Sequence, residues 1–191
     1  MSCSCSRAPS PPAAAAPVDE RDFSAQDAYR QPAKVLAALP VVEGKQVADI
    51  GAGGGYFALK LARLVGPRGQ VIATDLDPAA LAALAARAQR AGLGNVTTRR
   101  VAPEDPGLEP GRYAALLLSE VDHLLVNRVD YFRRLRFALS WGAVIVVVNH
   151  ERHGAACRAA LAAAGFAVEE LVDRPPGQVL LRARLASEPG R

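Results

Sequence analysis

The chain has 191 residues, half of them hydrophobic and 22% charged, which suits one domain with a core large enough to need no disulfide or metal staple. No run reaches the roughly 18 apolar residues of a bilayer-spanning helix, and three cysteines, Cys3, Cys5 and Cys157, are too few and too badly spaced for a disulfide framework or structural zinc, so no membrane is expected and the location read is a reducing cytoplasm. The net charge of +4 comes from 23 basic and 19 acidic residues, but no basic run interleaved with aromatics appears, so a nucleic-acid partner is disfavoured. Residues 1–19 are Ser, Pro and Ala with almost no large apolar side chain and read as a disordered leader. They look like the tether of an export or lipid-anchor signal whose apolar stretch is missing.

From residue 20 to 191 the pattern is that of a single domain. Ser24 is placed to cap a short helix ending at Pro32, and Pro32 suits the first position of another turn through Leu39, so residues 20–40 form a helical cap. Val47–Ile50 is a short strand. Phe57, Leu61, Leu64 and Val65 then recur at helical spacing. Gln70–Thr74 is a strand, followed by a helix from Pro78 with Leu81, Leu84, Ala85 and Ala88 on one side and Gly92 past its end. Asn95–Val101 is a strand, Tyr113–Leu118 a strand buried on both faces, and Val129, Phe132, Leu135 and Leu139 mark a helix. Ala143–Val148 is the most apolar strand. Ala155–Ala164 is helical, and Phe166–Val172 and Gln178–Leu185 are closing strands. Alternation of this kind predicts an α/β doubly wound, mostly parallel sheet. Only Asp173–Gly177 separates the last two strands, too little for a parallel crossover, so they form an antiparallel hairpin.

Ligands of such sheets bind beyond the carboxyl ends of the strands. The first tip reads Asp49-Ile50-Gly51-Ala52-Gly53-Gly54-Gly55-Tyr56, a glycine-rich turn that lets a ligand lie against backbone at a helix N-terminus. A dinucleotide fingerprint requires a third glycine where Tyr56 stands. A carboxylate at Asp49 would repel a pyrophosphate and attract an ammonium or sulfonium. An NAD-linked oxidoreductase is therefore a disfavoured alternative.

At these residues the chain resembles the class I S-adenosylmethionine-dependent methyltransferases, whose first motif is D/E-x-G-x-G-x-G after the first strand. The match runs ungapped over Val47–Ala62, and Asp75, at the end of the second strand, stands where the family places an acid that accepts both ribose hydroxyls. The resemblance spans roughly residues 25–187 and is nearest to small bacterial enzymes with a Gln-Pro phrase ahead of the first strand, here Gln31-Pro32. It implies a seven-stranded Rossmann-like methyltransferase fold with strand order 3-2-1-4-5-7-6. It also implies S-adenosyl-L-methionine as cofactor, held by Asp49, Gly51, Ala52, Gly53, Gly55, Tyr56, Asp75, Leu76, Ser119 and Glu120. The family's aspartate for the adenine amino group is replaced at the aligned position by Ala102, whose backbone could serve, with Asp105 in reserve. The glycine pair usual before the fifth strand is Ser140-Trp141-Gly142, with Trp141 read as a packing residue.

The fourth tip, Ser119-Glu120-Val121-Asp122-His123-Leu124, faces the methyl acceptor in this family. His123 is the candidate base, since imidazole titrates near neutrality, with Asp122 orienting it. Capping a helix or packing in the core is the other reading of His123. Asn149, His150 and Glu151, with Glu120 and Asp122, resemble the oxygen and imidazole set of metal-dependent catechol-type methyltransferases; polar groups solvating an open cleft is the preferred reading, and no metal is expected. Cys157 is read as buried. The acceptor is then a small molecule or an exposed protein side chain, shaped by residues 20–40 and the fourth tip. A binding module that retains the pocket without turnover is the other alternative.

Overall fold

The computed structural model describes residues 23–40 and 42–186; the expected leader, with Cys3 and Cys5, lies outside them. The elements in chain order are α1 (Ser24–Arg30), α2 (Pro32–Ala37), β1 (Gln46–Ile50), α3 (Tyr56–Val65), β2 (Gln70–Asp75), α4 (Pro78–Arg90), β3 (Val96–Arg100), β4 (Tyr113–Ser119), a 3-10 turn (Asp122–Leu124), α5 (Arg128–Ala138), β5 (Leu139–His150), α6 (Glu151–Ala163), β6 (Phe166–Glu170) and β7 (Gln178–Leu185). The seven strands form one sheet in the order β3-β2-β1-β4-β5-β7-β6. Pairing is parallel from β3 to β5, and β7 runs antiparallel to both β5 and β6.

The central strands carry apolar residues on both faces through most of their length because both faces are covered. On β5, Val144, Val146 and Val148 join one core with α2, α3 and α4 residues such as Val35, Leu59 and Leu84. Ile145 and Val147 join the other, with Phe132 and Leu135 of α5 and Leu161 of α6. Cys157 is free and fully buried in that second core, as a small hydrophobe.

The structure departs from the sequence reading in local detail. Ser24 begins α1 and Phe23 occupies the cap position. The short turn of α2 starts at Pro32 after Gln31, which adopts a left-handed conformation (φ 39°) and so breaks the path between the two helices. α6 starts at Glu151, directly after β5. β5 also begins four residues before the expected Ala143. Leu139 pairs with Tyr113 and Val144 with Ala115, so five steps of β5 face two of β4. The excess is absorbed in a bulge where Gly142 takes φ 70°, and the Ser140 hydroxyl donates to Tyr113 O at 3.1 Å. The bulge turns Trp141 outward to 70% exposure, so it is not a packing residue.

Candidate functional site

After β1 the backbone turns through Gly51–Gly55, and its glycines serve different purposes. Gly51 N–H and Ala52 N–H both donate to Thr74 O, at 2.8 and 2.9 Å, tying the turn to β2. A Cβ on Gly51 (φ 68°) would overlap Val121 of the fourth tip, and one on Gly55 (φ 94°) would overlap Leu84 of α4. Gly53 (φ 51°) has nothing within 4 Å of a Cβ position; its backbone lines open space. Gly51 and Gly55 therefore permit close packing, while Gly53 permits close approach from the cavity side.

That cavity has a volume of about 480 Å³. Asp49, Thr74 and the glycine turn line its base, and Asp75 and Leu76 the β2 side. Val101, Ala102 and Pro103 contribute from beyond β3, and Ser119, Glu120 and Val121 from the fourth tip. Phe23, Gln26 and Arg30 close it from the α1 side. Leu124, Leu125, Val126 and Tyr131 add an apolar wall.

Asp49 is 2% exposed, and its Oδ2 has no hydrogen-bond partner among the described residues. Burial raises its carboxyl to about 7, against a backbone hydrogen bond from Ala58 and the charge of Arg30, which pull it down. A buried carboxylate with a free lone pair beside a cavity is a preformed acceptor for a cationic or N–H-bearing ligand. Thr74 Oγ1 is also buried without a partner among the described residues.

The Asp75 carboxylate is oriented by two backbone donors, Gly53 N–H to Oδ2 at 2.7 Å and Asp77 N–H to Oδ1 at 3.0 Å. Two such bonds leave lone pairs on both oxygens. Asp77 itself caps α4 by accepting from Ala79 N–H at 2.8 Å, as a turn acid ahead of Pro78 should.

Tyr56 explains the missing third glycine of a dinucleotide fingerprint. Its ring meets Phe23 edge-on at 5.3 Å, its hydroxyl donates to Asp27 Oδ1 at 2.6 Å, and the Arg30 guanidinium lies 4.9 Å above it. Burial and the Asp27 carboxylate push its hydroxyl pKa up. Tyr56 thus anchors α1 over the glycine turn. Arg30 extends the same lid to the fourth tip, pairing with Glu120 Oε2 at 2.9 Å and reaching Ser119 Oγ at 3.4 Å. Glu120 sits at φ 58°, a conformation uncommon outside glycine and Asn/Asp.

Ten of the predicted residues, Asp49, Gly51, Ala52, Gly53, Tyr56, Asp75, Leu76, Ala102, Ser119 and Glu120, therefore line one cavity. Four others do not. Gly55 lies behind the turn against α4. Asp105 accepts from Gly107 N–H at 2.8 Å within its own loop and borders a separate surface depression beyond Ala102. Asp122 is fully buried, accepting from Asn149 Nδ2 at 2.5 Å. The His123 ring stacks on His153 of α6, centroids 4.6 Å apart. The 3-10 turn directs Val121, Leu124 and Leu125 into the cavity and Asp122 and His123 away from it, toward α6. Asn149 bridges the two, so Asp122 does not orient His123 directly. Glu151 pairs with Arg174 at 2.6 Å, and among the described residues no three His, Cys, Asp or Glu side chains are grouped to hold a metal ion.

Arg30, Thr74 and Tyr131 had no motif to mark them. Thr74 lies one residue before Asp75 on β2, where a hydroxyl in an apolar strand was the one available signal.

A family described as "Methyltransferase domain" matches residues 47–142, from β1 to the bulge of β5 and including the whole glycine turn. The chain belongs to this methyltransferase-domain family. Among solved structures, this methyltransferase domain is similar to a SAM-dependent methyltransferase from Aquifex aeolicus, with TM-score 0.79 and 19% identity over 87% of this chain and 95% of that one. It is also similar to an S-adenosylmethionine-dependent methyltransferase from Mesorhizobium loti, with TM-score 0.69 and 20% identity over 83% and 99% of the two chains. The cyclase SpnF is a third neighbour, with TM-score 0.72 and 17% identity over 84% and 82%. At these identities the likeness establishes the Rossmann-like methyltransferase fold, and SpnF illustrates that one fold hosts more than one chemistry.

Proposed function

We propose that the protein is an S-adenosyl-L-methionine-dependent methyltransferase acting on a small molecule or an exposed protein side chain. The observation that carries this reading is the buried Asp49 carboxylate oxygen, unpartnered among the described residues at the base of a cavity that the glycine turn also lines. A dinucleotide site would set its pyrophosphate against that turn, where Asp49 would repel it; a ligand with an ammonium and a sulfonium meets a complementary field instead.

The bound cofactor would supply an electrophilic methyl group. Asp49 would balance its positive charge. Asp75, already oriented by the Gly53 and Asp77 amides, would accept the ribose hydroxyls. Leu76 and Ala102 would border the adenine, where Ala102 offers backbone only. Gly51, Ala52 and Gly53 would give the chain its close approach. Gly55 and Tyr56 would support the turn from behind and above, and Ser119 and Glu120 would bound the end nearer the acceptor. Residues 20–40 would act as a cap on one domain spanning 20–191, and the sparse cysteines suit a cytoplasmic setting.

Among the described residues no imidazole lines the cavity, and Glu120 is paired with Arg30. That arrangement favours acceptors that are already nucleophilic, and it is also the feature that keeps the reading of a non-catalytic binding module in play. Calorimetry with S-adenosylhomocysteine and with NAD tests the ligand class: saturable binding of the former and none of the latter is expected, and the reverse would refute the proposal. Cofactor consumption across a panel of amine, thiol and phenol acceptors then separates enzyme from binding module.

A further inference from the structure

A buried polar bracket stands behind the fourth tip and takes no part in lining the cavity. Asn149, at the end of β5 and 1% exposed, accepts from His150 N–H through Oδ1 at 2.7 Å. That bond decides which way the amide faces, because a backbone N–H needs an acceptor. Its Nδ2 therefore points at Asp122 Oδ1, 2.5 Å away, and at His123 Nδ1, 2.9 Å away. An amide nitrogen only donates, so both partners must accept. His123 Nδ1 meets this amide as an acceptor only in the tautomer that carries its proton on Nε2.

The bracket controls the cavity through its neighbours in sequence. Val121 packs onto Gly51 so closely that no Cβ would fit there. Leu124 N–H closes the turn on Val121 O at 2.9 Å, and Leu124, Leu125 and Val126 continue as cavity wall. Leu124 and Val126 are 70% and 90% exposed, so the stretch is fixed from its protein side, by Leu125 packing on the second core and by the bracket and Arg128 behind the turn. We infer that Asn149 is the positioning residue of the fourth tip, holding the Asp122–His123 turn against the glycine loop only while His123 Nδ1 is unprotonated, so that acidification loosens the cavity wall.

The charged and titratable groups at this turn are Asp122 on the turn itself, Arg128 of α5, 3.8 Å from Asp122 Oδ2, His153 of α6, stacked on His123, Arg152, which donates to His153, and the buried Cys157 of α6. Arg128 also holds the turn, donating from Nε to Asp122 O at 2.8 Å. Protonation at Nδ1 would set one donor against another and release His123 from the amide.

The wall readout of this inference rests on the proposed nucleoside site; the tautomer readout does not. In the ¹⁵N-labelled full chain, NMR at pH 8 should show His123 Nδ1 unprotonated, and a protonated Nδ1 in the neutral ring would overturn the assignment. His123→Phe keeps a ring against His153 but removes the acceptor. S-adenosylhomocysteine affinity should fall between pH 8 and pH 5 about fivefold more in the wild type than in H123F, the equivalent of one lost hydrogen bond. Taking the ratio of the two proteins removes the shared contribution of Asp49. A ratio independent of pH refutes the bracket. If S-adenosylhomocysteine binds neither protein, the nucleoside reading fails by itself. The Leu124 and Leu125 amide signals then decide the bracket, by moving on acidification in the wild type more than in H123F or by moving equally.

Discussion

Asp49→Asn probes the electrostatics of the cavity without changing its shape. Burial lifts the Asp49 carboxyl from 3.8 to about 7. Between those values the native protein holds a proton that the unfolded chain has released, so this residue's contribution makes stability fall as pH rises across the interval and level off above it. A rise from 3.8 to about 7 corresponds to roughly 4 kcal/mol at high pH, of which about 2 to 3 kcal/mol accrues between pH 5 and pH 8. Asparagine is neutral throughout. Urea denaturation of both proteins at pH 5 and pH 8 should therefore show D49N gaining about 2 to 3 kcal/mol on the wild type as pH rises, because groups common to both, such as Glu109, cancel in the difference. The corresponding relative shift in melting temperature is about 5–10 °C for a chain of this size. Stabilisation and function should oppose each other here: D49N should bind S-adenosylhomocysteine more weakly at pH 8, and wild-type binding below pH 7 should release a proton, detectable by calorimetry in two buffers of different ionisation enthalpy. Stability curves for the two proteins that stay parallel from pH 5 to pH 8 would show that the carboxylate is not desolvated and would remove the reason for placing a cation beside it.

Asp75→Ala should weaken S-adenosylhomocysteine binding by about 1–3 kcal/mol, the range for a charge-assisted hydrogen bond, with unchanged affinity placing Asp75 outside the site. Gly55→Ala should lower stability by about 1–3 kcal/mol through strain at φ 94° and overlap with Leu84, and Leu84→Ala in the same protein should recover part of that loss; additive losses in denaturation would contradict the packing role. Gly53→Ala meets no neighbour among the described residues but is strained at φ 51°, so denaturation should show a smaller loss of stability than for Gly55→Ala, which adds the overlap with Leu84, while calorimetry should show weakened S-adenosylhomocysteine binding.

How far the sequence carried the description depended on the range of the physics involved. Strand and helix alternation, Pro32 and Pro78 opening helices, and the short Asp173–Gly177 connection are local matters of periodicity and chain reach, and they predicted the doubly wound sheet with its antiparallel closing hairpin. The spacing of Asp49, the glycines, Tyr56 and Asp75 was legible for the same reason, since one turn and two adjacent parallel strands deliver those residues to a common edge. The bulge that exposes Trp141 depended on the pairing register of β5 with β4, which no local pattern encodes. Side-chain direction within the fourth tip was beyond reach as well: a 3-10 turn sends neighbouring residues to opposite sides, and whether His123 or Leu124 enters the cavity is settled by α6 and Asn149 packing behind it. Arg30 reaches Glu120 across 90 residues of sequence because α1 folds over the sheet edge. Chain-local forces thus chose the architecture and the glycine turn, while the lid, the unpartnered Asp49 oxygen and the bracket behind the fourth tip exist only once distant segments exclude water from one another.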